Sequence, residues 1–307
     1  LNVHAAVRAR QTGFSLIELM VALAIGLIVS LAVMMGYLGA AQSQRGQTDV
    51  TRMQETARFA FDLFGRESRH AAFRNNVVYS VSSGTQSFGT ATGSDTFLYG
   101  INDATSPTLP SGGTPTVINN GDVITFRYYG MDGATAGTAD GTILNCMGTG
   151  IKYGQVNEDT LYIALDTTNT SNSPSGEPTL YCASRQKTSG TWAAATGSPI
   201  ALIPGVESMQ ILYGEDTDSD GIVNKYVKAD SLSSSDFTKV VAIMVSIVVR
   251  SPSASGFTAA QVLNHFGTDY AAGNTAPSGD AGAVFTSPTD GRLRRIYSTV
   301  FALRNAL

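Results

Sequence analysis

Residues 13–41 read GFSLIELMVALAIGLIVSLAVMMGYLGAA, and Glu18 is the single charge among them. From Leu19 to Ala41, 23 consecutive residues carry no charge. As an α-helix they would reach about 34 Å at a rise of 1.5 Å per residue, enough to cross a hydrocarbon core of roughly 30 Å. A soluble core helix is rarely apolar on every face for that length, so the stretch predicts a membrane-inserted helix. The residues before it, LNVHAAVRARQT, carry Arg8 and Arg10 and no acid. Positive charge on that flank predicts a cytoplasmic N-terminus, with the rest of the chain outside.

Past Ala41 the pattern changes while the helix continues. Between Arg45 and Phe73, apolar residues fall at Val50, Met53, Ala57, Ala60, Phe61, Phe64 and Ala71, in steps of three and four. Arg52, Glu55, Arg58, Asp62, Arg66, Glu67 and Arg69 fill much of the remainder. One helix from near Phe14 to about Asn75 is predicted, its second half laying an apolar stripe on a globular body. Beyond Asn76, short β-like runs alternate with Gly, Ser, Asn and Pro clusters. Strands are predicted at Val77–Ser82, Thr96–Ile101, Val123–Tyr129, Thr160–Leu165, Leu180–Ala183, Ile200–Pro204, Glu207–Tyr213, Val223–Val227, Val240–Val249 and Arg295–Arg304. Val240–Val249 is apolar on both faces and reads as a central buried strand. Ala259–Phe266 reads as a short helix, and Ser83–Ser94, Asp103–Thr116 and Thr167–Pro178 as exposed loops. The fold class is therefore α+β, a long N-terminal helix with a β-rich head.

Composition agrees. Of 307 residues, 43% are hydrophobic and 14% charged, with 32 Gly, which suits a β-rich body with many turns. The net charge of -4 and the absence of a basic stripe argue against nucleic acid as a partner. Cys146 and Cys182 are the only cysteines. Their spacing excludes a CxxC redox pair or a four-cysteine zinc cluster, and outside the cytoplasm it predicts one disulfide, worth about 2–4 kcal/mol. Two reduced, buried thiols are the alternative.

An ordinary secretory signal would carry its cleavage site after the apolar run. Here the distinctive residues precede it, as Gly13-Phe14-Ser15-Leu16-Ile17-Glu18. This stretch resembles the class III signal of type IV prepilins: a short basic leader ending in Gly, an aromatic residue, and Glu at the fifth mature position. The resemblance implies that a prepilin peptidase cuts between Gly13 and Phe14 and methylates the new Phe14 amine. It also implies that Glu18 pairs with the Phe14 amine of a neighbouring subunit. Buried opposite charges would fix axial register, since a shifted register leaves both unpaired. The alternative is a Glu18 that snorkels to the headgroups. The implied organisation is a leader (1–13), a transmembrane or filament-core helix (14–41), its amphipathic continuation (42–76) and a β-rich extracytoplasmic head (77–307), the lollipop of pilins.

Downstream, Val206–Gly214 (VESMQILYG), the strand ending Val249-Arg250-Ser251 and the C-terminal DGRLRRIYSTVFALRNAL resemble the PilW-like minor pilins. That resemblance implies a low-abundance subunit of a type IV pilus that joins other minor and major pilins. It would prime assembly and sit at the tip, with a tip adhesin as a further partner, supporting adhesion and twitching motility. It implies insertion in the inner membrane before assembly and residence in the surface pilus after it. The J-type pseudopilin of type II secretion shares the plan and is the alternative.

Asp216-Thr217-Asp218-Ser219-Asp220-Gly221 has the D-x-D-x-D-G form that opens a calcium loop, with the Ile222 carbonyl and Asn224 in the seventh and ninth places. Val227 stands where a bidentate Glu would close the loop, and Asp230 further on could reach back. Ca²⁺ is thus the one cofactor the sequence raises, against a solvated acidic turn. The histidines are His4, His70 and His265, and no GxSxG, HExxH, P-loop or dinucleotide fingerprint accompanies them. No enzymatic activity is expected.

Overall fold

A helix, α1, runs from Leu16 to His70 without a proline. It opens a computed structural model that describes residues 13–74, 96–109, 114–133, 135, 137–170, 175–188, 191–192, 198–257 and 259–306. The expected leader up to residue 12, the strand at Val77–Ser82 and the loop at Ser83–Ser94 lie outside them. The chain divides into two compact units between Thr48 and Asp49. In the first unit α1 exposes its side chains from Leu16 through Ala40. Among the described residues it is the one helix long and apolar enough to cross a membrane.

In the second unit Met53, Ala57, Ala60 and Phe64 of α1 are buried, the stripe that steps of three and four place on one face. They pack against residues from the two sheets that follow. The same face continues through Glu67 and Ser68, both buried, so Glu67 does not belong to the polar face on which its charge alone had put it. Angular position decides: three and four residues beyond Phe64, a side chain points into the body whatever its chemistry. The helix stops short of Asn75. Ala72 takes a left-handed φ of 62° and its N–H donates to the Arg127 carbonyl at 3.0 Å, so the chain passes from helix to sheet edge there.

The first sheet holds β1 (Leu98–Ile101), β2 (Val123–Tyr129), β3 (Val156–Asp166), β4 (Glu177–Thr188) and β5 (Thr191–Trp192) in that order. A further strand, β6 (Ile200–Pro204), also pairs with β4. The second sheet uses β7 (Val206–Glu215), β8 (Lys225–Val227), β9 (Val240–Phe257) and the last strand, Gly291–Ala302, in the order last strand–β9–β7–β8. Between β9 and that last strand lie β10 (Val262–Asn264) and β11 (Val284–Thr286), paired with each other, which makes the last strand β12. Every described strand pair is antiparallel.

β9 is internal to its sheet and, apart from the half-buried Met244, buried along Val240–Val249, as its two-sided apolarity predicted. Ile243, Val245, Ile247 and Val249 point one way, into a core shared with Phe126, Leu161, Ile163 and Leu180 of the first sheet. Two expectations fail. Ala259–Phe266 contains strand β10 where a helix was expected, because Val262–Asn264 finds a partner strand in Val284–Thr286. A short segment with weak helical preference yields to such pairing. The expected loops at Asp103–Thr116 and Thr167–Pro178 are not wholly exposed. Ala104 and Leu109 join a small buried cluster with Val123 and Tyr162, and Glu177 already belongs to β4.

Candidate functional site

At the N-terminus, Ser15 caps α1. Its Oγ accepts the Glu18 N–H at 3.2 Å, and its carbonyl accepts the Leu19 N–H at 3.2 Å. Ser15-Leu16-Ile17-Glu18 thus has the S-x-x-E spacing of a capping box, a signal legible in the sequence that the motif reading passed over. Glu18 lies in the first helical turn, where a carboxylate complements the positive end of the helix dipole. Phe14 is 82% exposed, four residues before it.

Cys146 and Cys182 form a disulfide with Cα atoms 6.4 Å apart. Cys146 lies between β2 and β3, and Cys182 on β4, both buried. Beside them Asp159 Oδ2 accepts the Cys146 N–H at 2.8 Å and the Tyr128 hydroxyl at 2.6 Å. Burial raises the Asp159 pKa despite hydrogen bonds from Ser184 and Tyr128 that lower it. Burial, followed by the nearby Asp159, raises Glu67 well above the usual carboxylate range, against the opposing effect of Arg66.

The acidic loop joins β7 to β8. Asp216, Asp218 and Asp220 bring carboxylate oxygens within 4.8 Å of one another. Asp216 Oδ2 accepts the Gly221 N–H at 2.8 Å, Asp216 Oδ1 the Ser219 N–H at 2.6 Å, and Gly221 turns the chain at φ 82°. This donor set fits a hard cation, which prefers several oxygens. Ile222 is 65% exposed, and its N–H donates to Asp220 Oδ1. The Asn224 side chain closes the same loop, its Oδ1 accepting the Thr217 N–H at 2.6 Å and its Nδ2 donating to Asp218 Oδ2 at 3.5 Å. Asp230 sits in the one-turn helix Ala229–Ser231 and is not in the group.

Sequence reasoning missed the buried charges. Cross-strand register places Arg127 beside Glu158, and Glu158 beside Arg185, on three adjacent strands. Glu158 accepts from Arg127 Nε at 2.8 Å and from Arg185 Nε at 2.7 Å. Arg185 also lies over the Trp192 ring, 4.2 Å from its centroid. In the second sheet Arg250 and Arg294 face each other across β9 and β12. Arg250 binds Glu177 at 2.8 Å, and Arg294 binds Glu207 at 3.0 Å and Asp290 at 2.7 Å.

His265 is buried too. Its Nδ1 meets Ser246 Oγ at 2.9 Å and its Nε2 meets Ser208 Oγ at 3.0 Å, while Ser246 Oγ donates to the His265 carbonyl at 3.0 Å. With the Ser246 proton committed to that carbonyl, Nδ1 must be the donor, and Nε2 accepts from Ser208. Ser208 and Ser246 have no exposed surface, so this His–Ser pairing presents no nucleophile to a substrate.

Residues 162–305 match the family model of the type IV pilus-assembly protein W, and residues 8–34 match that of the prokaryotic N-terminal methylation motif. A type IV-like pilin from Thermus thermophilus aligns with a TM-score of 0.41 and 13% identity, over 83% of this chain and 98% of that one. No curated protein matches the sequence. An apolar N-terminal helix behind a methylation motif, continuing into a β-rich head, defines a type IV pilin-like structural subunit. Residues 162–305, most of the second half of the chain, are similar to assembly protein W of type IV pili.

Proposed function

We propose that this chain is a non-enzymatic minor pilin that primes assembly of a type IV pilus, and that it works at or near the tip with other minor pilins. Prepilin peptidase cuts between Gly13 and Phe14 and methylates Phe14. Before assembly the helix is held in the inner membrane with its N-terminus cytoplasmic and its head periplasmic. In the filament Glu18 binds the Phe14 amine of the adjacent subunit, and the assembled pilus supports adhesion and twitching motility. The observation that carries this reading is the methylation-motif match over residues 8–34, at the start of a helix whose apolar surface is exposed. That surface needs either lipid or other helices to cover it.

Glu18→Ala tests the register role. The variant should still be cut and methylated, read by intact mass with and without the peptidase, while its share in sheared pili falls at least tenfold. An unpaired amine left in an apolar helix bundle is the physical cause. Wild-type incorporation would remove the register role, and an uncut wild-type chain would remove the pilin reading. Loss of protein secretion with normal piliation on deletion would turn the assignment to a secretion pseudopilin.

We further propose that the Asp216–Asp220 loop holds a structural Ca²⁺, which relieves repulsion among three close carboxylates. Millimolar Ca²⁺ should raise the thermal midpoint of the full chain, and Asp218→Asn with Asp220→Asn should abolish that rise. Equal midpoints with and without Ca²⁺ would leave the loop a solvated turn.

A further inference from the structure

Among the described residues β12 is the outermost strand of its sheet and pairs with β9 alone. Ala302 stands opposite Ala242, and one residue on, the Leu303 N–H donates to the Val241 carbonyl at 2.8 Å. In an antiparallel ladder, residues bonded to the partner strand alternate with residues whose polar groups point away. Tyr297, Thr299 and Phe301 therefore bond to β9. Ile296, Ser298, Val300 and Ala302 aim their N–H and C=O groups at the open edge. Gln261 obeys the same parity: its Nε2 donates to the Arg292 carbonyl at 2.9 Å and its Oε1 accepts the Arg294 N–H at 3.2 Å. A side-chain amide there stands where a neighbouring strand's peptide would. Beyond Arg294, no described residue bonds to the outward groups of Ile296, Ser298, Val300 or Ala302.

Open edges are usually guarded by charge, proline or a bulge. Residues 296–302, IYSTVFA, contain neither charge nor proline, their register with β9 is regular, and Val300 is 47% exposed. Charge appears only at the ends. Arg295 and Arg304 flank the run, both exposed, and neither has a carboxylate partner among the described residues. Two copies pairing antiparallel along this run would bring Arg295 of each near Arg304 of the other. Like charges in adjacent strands are destabilising, so the ends disfavour self-pairing and favour a strand that carries acids at its own ends.

We propose that the outer edge of β12, from Ile296 to Ala302, receives an extended strand from a different protein, uncharged and β-branched at its centre and flanked by carboxylates. Main-chain hydrogen bonds to the four outward residues provide the affinity, and Arg295 and Arg304 select the flanks. The edge belongs to the head and does not depend on incorporation into a filament.

The test uses the full chain in detergent micelles and a capped fluorescent peptide, EVTVSVE, followed by anisotropy. Val300→Pro removes one outward N–H without breaking a bond to β9, as edge strands tolerate. It should weaken binding at least tenfold, and Ser298→Pro, an independent outward position, should do the same. The peptide KVTVSVK should bind at least tenfold more weakly than EVTVSVE. Equal binding of EVTVSVE to wild type and whichever proline variant keeps its circular dichroism spectrum would overturn the proposal. So would concentration-dependent dimerisation in sedimentation that Val300→Pro abolishes, since the occupant would then be a second copy. Cleavage at Gly13 should be normal in both variants, so this result stands apart from the pilin assignment.

Discussion

Glu158→Ala should cost the head about 3–5 kcal/mol, measured as the shift in urea unfolding of the detergent-solubilised chain. Glu158 is fully buried and is the shared counterion of two arginines whose side chains are 1% and 10% exposed. Without it, Arg127 keeps neutral partners such as the Thr96 carbonyl, which its Nη1 reaches at 3.0 Å, and Arg185 keeps the Trp192 ring. Neither neutralises a buried guanidinium, and arginine does not escape by losing its proton. Glu158→Gln, which keeps an acceptor but not the charge, should fall between wild type and Glu158→Ala. Lys225→Ala removes a pair whose lysine is 55% exposed and should cost less than about 1 kcal/mol. If Glu158→Ala costs no more than Lys225→Ala, water reaches the triad and its burial contributes little.

Wild type should lose about 2–3 kcal/mol relative to His265→Gln between pH 7 and pH 4.5. Burial depresses the His265 pKa from 6.5 to about 3, offset in part by its hydrogen bond with Ser246. The unfolded chain therefore takes up a proton below pH 6.5 that the folded chain refuses until about pH 3. Stability present above 6.5 drains away as pH falls, at up to about 1.4 kcal/mol per unit. Glu67, Asp122 and Asp159 act in the opposite sense. Their raised folded pKa values give stability that is present below the ordinary carboxylate range and lost as pH rises through the folded values. Because the variant shares those acids, subtracting its pH–stability curve isolates His265. A difference that stays flat from pH 7 to 4.5 would mean that His265 titrates normally and that the ring is hydrated.

Both effects rest on residues that no local pattern singles out, and the cause is the same in each. Arg127, Glu158 and Arg185 are far apart in the chain, and only the registers of β2 on β3 and β3 on β4 make them neighbours. His265 reads locally as the end of a short helix. Its two serine partners come from β7 and β9, strands well upstream. The charge of Glu67 argued for the solvent side of α1, yet its place after Phe64 argued for the inside, and position prevailed. By contrast the apolar stripe of α1, the span of β2 and the central place of β9 were legible, because periodicity and two-sided apolarity are written in consecutive residues. Ser15 was legible too, through its spacing to Glu18.

The sequence by itself determined the plan of this protein. A 23-residue uncharged run inside and after a stretch that matches the N-terminal methylation motif makes one helix long and apolar enough to cross a membrane, and alternating apolar runs between Gly-rich turns make a β-rich head. Those properties depend on neighbours along the chain, where side-chain transfer energies and helical or strand periods act locally. Tertiary structure alone decided which arginine meets which carboxylate, that His265 is sealed between two sheet serines, and that no described residue bonds to the outer amides of β12 from Ile296 to Ala302. Those follow from strand order and register, which long-range packing sets and a one-residue slip would reverse.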